Sequence, residues 1–480
     1  MAALPGGAAQ VDTQSACIAR LANEWPMLEA LMGGTAAMRA NGEKLLPKWP
    51  NEELKSWENR RDTATLFPAF RRTVSVMAGK PFAKQAVLSD DTPPEIVAWA
   101  EDIDREGVNL HTFASEMLLE ALAHGLGGIL VEAPKPIENG APVPTIADQK
   151  EAGVRPYWVR VTHSQIVGFR AEAINGARQL TQLRIKETAA VPDGEYGERE
   201  AERIRVLTPG AWAVFEKQDA QVAGANQWLL IESGLSGLPY IPFVPLYGFR
   251  QGYMDGISPL RDLAYLNVKH WQSQSDQDTI LHVARVPILA VSGGDDQTSI
   301  VVGAASAVKL PAGAELKFVE HTGAAIEAGS KSLDDLEDQM IQAGAELLVK
   351  QSGQRTATES ANDAEGNKSD LQRIVEGFED SLDAALQMTA DYASLPKGGN
   401  VSLYKDFGAT TLSAATAILV TAWQAAGLIT KVTAIQELQR RGELSPDIDP
   451  DEEVQNAADE APAPMAAPPA LKEPALDNAA

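Results

Sequence analysis

Leu333, Leu336, Met340, Ala343 and Leu347 recur at alternating steps of three and four residues, which lays one narrow apolar seam along a helix over residues 332–350. Asp334, Asp335, Glu337 and Asp338 fill the faces beside that seam, and carboxylates in a first turn also suit the positive end of the helix dipole. A second helical pattern opens upstream, in 255–284, with Ser258 as a cap and Pro259 in the first helical position, and runs to about His282, ahead of Pro287. From Arg285 to Thr322 the pattern changes to β-prone runs at 288–291, 299–302 and 315–319, broken by Gly293-Gly294, Pro311 and Gly313. A small β unit is therefore predicted between the two helices. After Lys350 comes a polar stretch to Ser369 with almost no apolar anchor, followed by a helix over 370–392. A loop of this length inside a folded chain is usually functional or disordered.

Elsewhere the pattern predicts one helix over 15–32 interrupted by Pro26, then two helices in 51–79, the second with Phe70, Val74, Met77 and Ala78 on one face. Thr92-Pro-Pro-Glu95 opens a short helix, and a longer one spans 112–124. Gly125-Leu-Gly-Gly128 follows a helix and precedes a strand, the reverse of the nucleotide-binding order, so it reads as a helix stop with a left-handed cap. Between Val154 and Phe249 alternating runs at 157–161, 182–186, 203–207, 211–215, 228–231 and 241–247 predict an antiparallel sheet, with turns at Pro192-Asp-Gly194 and Pro209-Gly210. A strand at 401–404 precedes helices at 412–426 and 430–441, and beyond Leu444 an Asp/Glu/Pro/Ala composition predicts disorder. The fold class is α+β.

With 480 residues and 44% hydrophobic positions, the chain can build two or three ordinary domains. Its net charge of −25 opposes tight static binding of nucleic acid, which rests on phosphate neutralisation by Lys and Arg. The pair Arg71-Arg72 does little to change that balance. Cys17 is the single cysteine, so no disulfide or multi-cysteine zinc site is expected. The six histidines (His111, His124, His163, His270, His282, His321) lack metal-ligand spacing, and Asp447-x-Asp449-x-Asp451 lacks the glycine and closing glutamate of a calcium loop. There is no Gly-x-x-x-x-Gly-Lys-Ser/Thr segment, and Gly234-Leu-Ser236-Gly237 has the wrong spacing for a nucleophile elbow. No catalytic residue, metal or cofactor is expected. No apolar run approaches the roughly 18 residues of a bilayer span, so no membrane insertion is expected.

Several segments together carry a family resemblance. They are the Ser258-Pro-Leu260 helix start, Leu310-Pro-Ala-Gly-Ala314, the acidic amphipathic helix, and Arg355-Thr-Ala-Thr-Glu359. Glu58-Asn-Arg-Arg61, the run from Arg71 to Phe82, the run from Glu120 to Pro134, Gln424-Ala-Ala-Gly-Leu-Ile-Thr430 and Leu438-Gln-Arg-Arg-Gly442 extend it in the same order, from roughly Leu45 to Gly442. In that succession the chain resembles the portal proteins of tailed bacteriophages, in the subgroup long labelled as a domain of unknown function.

The resemblance implies a ring-forming portal fold with wing, stem helices, clip and helical crown. It divides the chain into an N-terminal arm, partly mobile, at 1–44; a wing, helical then antiparallel β, at 45–254; a first stem helix at 255–284; and a clip at 285–326. A second stem helix follows at 327–350, a tunnel loop at 351–369, a wing helix and strand at 370–411, a crown at 412–443 and a disordered acidic Pro/Ala tail at 444–480. Leu333, Leu336, Met340, Ala343 and Leu347 would pack the stem. Gln351, Ser352, Gln354, Arg355, Thr356, Thr358, Glu359, Asn362 and Lys368 of the tunnel loop would line a channel for double-stranded DNA. The implied partners are further copies of the chain in a dodecamer, the terminase large subunit, a major capsid or scaffold protein, and a tail adaptor or connector. The implied location is the portal vertex of a virion, with the host cytoplasm during assembly. The rival readings are another virion head–tail assembly protein and an acidic soluble hydrolase with an unrecognised site.

Overall fold

Proline and glycine set the first helix boundaries of the chain. Helix α1 (Ala16–Leu21) stops short, and Pro26 lies in the first turn of α2 (Trp25–Ala40), where its missing N–H costs nothing. The single interrupted helix expected over 15–32 is therefore two helices, with proline opening the second. Gly34, at φ 76° and ψ −160°, kinks α2 in its interior. The computed structural model describes residues 11–133, 154–218, 228–284, 288–292, 315–319, 323–346, 368–405, 424, 429–440, 444 and 448–459. The chain forms two compact units, residues 1–405 and 406–480.

Helices α3 (Leu54–Thr63) and α4 (Ala69–Gly79) follow, and α4 buries the predicted stripe of Phe70, Val74, Met77 and Ala78. After β1 (Val87–Leu88) and α5 (Pro94–Trp99) comes α6 (Leu110–His124), capped by Asn109, whose side chain accepts from the Thr112 N–H at 2.9 Å. Gly125 ends α6 at φ 86°, the left-handed cap that its glycine group predicts.

The chain then enters β2 (Leu126–Glu132), β3 (Tyr157–Val161), β4 (Ile166–Ile174), β5 (Ala177–Asp193), β6 (Gly197–Thr208), β7 (Ala211–Lys217), β8 (Trp228–Leu235) and β9 (Phe243–Tyr247). Strand β2 pairs antiparallel with β3 on one side and β9 on the other, and β4 to β8 form an antiparallel meander in sequence order. Beyond Glu187↔Arg203, β5 and β6 lose their outer neighbours, and the pairs from Thr188↔Glu202 to Asp193↔Gly197 form a two-stranded arm. The arm turns at Gly194, φ 75°, as Pro192-Asp-Gly194 predicts.

A hairpin of β10 (Phe249–Gly252) and β11 (Asp255–Ile257) leads into α7 (Arg261–Ala284). Residues 255–257, expected at a helix start, are a strand, because they pair back onto β10. Next come β12 (Ile288–Ser292), β13 (Glu315–Val319), α8 (Ala324–Ala345), α9 (Asp370–Ala393) and β14 (Val401–Ser402). The core forms where the β2–β3–β9 sheet meets α6 and α9. Trp158 of β3 is edge-on to Phe113 of α6, with ring centroids 5.6 Å apart, and donates its indole N–H to Thr389 Oγ1 of α9 at 2.8 Å.

In the second unit lie α10 (Lys431–Arg440) and α11 (Pro450–Asp459), joined by a bond from Gln439 Nε2 to the Ile448 carbonyl at 2.6 Å. Residues 450–459 thus form a helix within a tail expected to be disordered. Asp449 Oδ1 caps it, accepting from the N–H groups of Asp451 (2.9 Å) and Glu452 (3.2 Å), and three first-turn carboxylates complement its dipole. The predicted strand at 299–302 lies outside the described residues, as does the helix at 412–426 apart from Gln424. No helix among the described residues is long and apolar enough to cross a membrane.

Candidate functional site: a helix pair around a hairpin

The root of α7 is fixed by Ser258. Its hydroxyl accepts from the Leu260 N–H at 3.2 Å and donates to the Leu122 carbonyl of α6 at 2.7 Å, so one side chain both caps the helix and ties it to the core. The buried face of α7 carries Leu263, Ala264 and Trp271, but also Asn267, His270, Ser275 and Gln277. Buried amides need partners, and these find backbone groups. Asn267 accepts from the Phe70 N–H at 3.0 Å and donates to the Phe67 carbonyl at 2.8 Å, pinning α7 to the start of α4. Gln277 Nε2 donates to the Ile326 carbonyl at 3.0 Å and meets Ser330 Oγ at 3.3 Å.

Those contacts, with His270 Nε2 3.4 Å from Glu337 Oε1, make α7 and α8 antiparallel neighbours: 277 lies by 326–330 and 270 by 337. Burial holds the His270 pKa below its ordinary value, against the pull of Glu337. Between the two helices in sequence, β12 and β13 pair antiparallel from Ile288↔Val319 to Ser292↔Glu315.

Of the seam residues, Leu333, Leu336 and Met340 are buried and Ala343 is half-buried, while Asp334, Asp335 and Asp338 beside them are exposed. The helix begins at Ala324, eight residues before the predicted 332, behind Gly323 at φ 77°. Leu347 and the proposed lining residues Gln351, Ser352, Gln354, Arg355, Thr356, Thr358, Glu359 and Asn362 lie outside the described residues. Lys368, the remaining member of that group, is paired with Glu376 of α9 at 2.8 Å.

Gly329 of α8 packs against Gln277 of α7: a methyl there would overlap the amide of Gln277, which its two hydrogen bonds hold in place. Gly329→Ala is expected to lower stability by about 1–2 kcal/mol despite alanine's better helix propensity, because overpacking outweighs propensity here. A urea melt showing Gly329→Ala to be stabilising would contradict this packing.

Sequence spacing kept the histidines apart, yet the fold stacks His124 on His163 beside Glu120. A legible signal existed for half of this: Thr162-His-Ser-Gln165 is a capping box, which fixes the turn carrying His163.

Residues 259–393, from the root of α7 to the end of α9, match a family model described as a domain of unknown function (DUF4055). No curated protein matches the chain. Among solved structures, it is similar to a chain in the neck of an empty gene transfer agent particle computed with C6 symmetry, at 14% identity and TM-score 0.39, covering 76% of this chain and 88% of that one. It is also similar to a chain in the virion of a native gene transfer agent particle, at 13% identity and TM-score 0.39, covering 83% and 98%. A third is in the neck of a native particle computed with C12 symmetry, at 12% identity and TM-score 0.38, covering 76% and 88%. All three likenesses are remote.

Proposed function

We propose that this chain is a portal protein, a structural rather than catalytic component. Copies would close a ring of about twelve at one capsid vertex, through which double-stranded DNA enters and leaves. The observation that carries the reading is the order α7, β12–β13 hairpin, α8, with the two helices packed antiparallel, inside the segment that matches the family model. In this reading α7 and α8 are the stem, the hairpin belongs to the clip, the two larger sheets with α9 form the wing, and 351–369 is the tunnel loop. Residues 412–443, which include α10, are the crown in the same reading. Terminase and the tail adaptor or connector would dock on the ring in turn, with capsid or scaffold protein around it. Assembly would take place in the host cytoplasm and the finished ring would reside in the virion.

The charge fits a conduit better than a clamp. Asp334, Asp335 and Asp338 stay exposed beside the seam, and a wall of carboxylates gives a sliding polyanion no deep electrostatic trap. Negative-stain electron microscopy of the purified chain, paired with its mass in solution, tests the reading. Rings of roughly twelvefold symmetry with a central hole are expected. A monomer or dimer that persists at high protein concentration, with or without terminase and scaffold, would sink it.

A further inference from the structure

At the C-terminal end of α6, four titratable side chains from three segments converge beside Trp25 of α2. Glu120 and His124 lie one turn apart on α6, His163 comes from the turn after β3, and Glu29 comes from α2. Glu120 Oε1 accepts from the His163 backbone N–H at 3.0 Å and lies 2.5 Å from His163 Nδ1, while Oε2 lies 3.0 Å from His124 Nδ1. On its other side, His163 Nε2 lies 2.9 Å from Glu29 Oε1. The two imidazoles stack with centroids 3.7 Å apart and planes 16° from parallel, and the Trp25 ring meets His163 edge-on at 5.0 Å. His163 is 4% exposed and His124 8%, whereas 48% of the Glu29 side chain faces solvent. The other charged groups on these elements are engaged elsewhere: Arg160 of β3 with Glu116 of α6, and Arg39 of α2 with the Ala64 carbonyl. His111, at the far end of α6, bonds the Ala86 N–H.

One carboxylate and two imidazoles make a zinc donor set, but the stacking opposes it. An ion about 2 Å from an imidazole nitrogen lies in the plane of that ring, and two nearly parallel rings this close cannot both contain it. The contacts are those of proton donors. An ionised carboxylate only accepts, and His163 faces a carboxylate oxygen at each ring nitrogen, so both nitrogens must carry hydrogen. His124, stacked on that cation, is the neutral member: its Nδ1–H serves Glu120, and its buried Nε2 has no hydrogen-bond partner, as suits a bare lone pair.

We propose that His163 is a proton-operated latch, which as an imidazolium ties Glu29 of α2 to Glu120 of α6 and on losing its Nε2 proton releases that turn of α2. Glu29 is the side that lets go, because it can turn to water. Glu120 cannot: burial pushes its carboxyl up, but the hydrogen bonds from His124 and His163 win and hold it well below the usual carboxylate range. The sign follows from the proton bound on closing: the latch is shut at lower pH and opens as pH rises.

Hydrogen exchange of the full chain tests this, with protection factors corrected for intrinsic exchange and α9 as internal reference. Between about pH 6 and about pH 9, protection around Glu29 is expected to fall roughly tenfold relative to α9. Glu29→Gln, at a half-exposed position, should fold normally and flatten that dependence, because the amide can bond either protonation state of Nε2. A wild-type α2 with flat protection would overturn the latch, and so would a Glu29→Gln chain that keeps the wild-type slope. Neither result depends on ring formation.

Discussion

Gly125→Ala is expected to cost about 4 kcal/mol, a large share of the stability of an ordinary domain. Two costs combine. At φ 86° any side chain adds about 1 kcal/mol, and here a methyl would also overlap backbone atoms of Ile257 and Ser258, where α7 is rooted. Backbone has no rotamer in which to retreat, so the β11–α7 junction must move. The bond from Ser258 to the Leu122 carbonyl and the one from the Gly248 N–H to the Gly125 carbonyl (3.0 Å) would stretch with it. Gly107 supplies the control: its φ is 92°, but a methyl there would have no neighbour within 4 Å, so Gly107→Ala should cost only about 1 kcal/mol. Equal urea midpoints for the two variants would refute the close approach.

Arg60→Ala should cost about 3–5 kcal/mol at neutral pH. The Arg60 side chain is 3% exposed and grips Glu52, itself 2% exposed, through Nε and Nη2, both at 2.9 Å. Nη2 also donates to the Pro47 carbonyl at 2.8 Å, and the guanidinium lies 4.2 Å from the centre of the Trp49 ring. Removing it strands a buried carboxylate. In the wild type, the hydrogen bonds from Arg60 hold the Glu52 carboxyl below its ordinary value against burial, so Glu52 adds stability above its unfolded pKa and loses it as pH falls. Without Arg60, burial would push that carboxyl up against only the Trp49 N–H bond at 3.0 Å and the Lys48 charge, so the variant's deficit should shrink as pH approaches 4 and Glu52 binds a proton. Chemical melts at about pH 7 and about pH 4 check the sign; a deficit that grows on acidification would contradict the pairing.

Arg60 also shows how far the sequence could be read. Glu58-Asn-Arg-Arg61 stood out as a family-like motif, but nothing in the pattern distinguished Arg60, buried on Glu52, from Arg61, on the surface beside Asp62. The α8 seam and the Gly125 stop were legible because each rests on a local rule, a helical period or a backbone angle. Strand β4 was missed because the register shift between Ile166 and Gly168 leaves three buried residues in succession, which breaks the two-residue alternation that marks a strand. The inner face of α7 was hidden for another reason: Asn267 and Gln277 are of residue types that usually face solvent, and only long-range backbone partners make their burial tolerable. Likewise, pairing of β2 with β3 brings His163 beside the end of α6, a consequence of topology that residue spacing does not contain.

The two-stranded arm at the end of β5 and β6 has a different kind of consequence. Its six pairs, from Thr188↔Glu202 to Asp193↔Gly197, extend roughly 20 Å beyond the last strand that could anchor them. Most of its side chains are exposed, so the core makes almost no claim on what they are. Deleting or inserting two residues in each strand would leave every remaining pair in register and every remaining side chain on its original face. Among descendants of this chain the arm is thus free to grow or shrink in such steps while the rest of the molecule stays unaware of it. Reach, more than residue identity, is what selection can act on there.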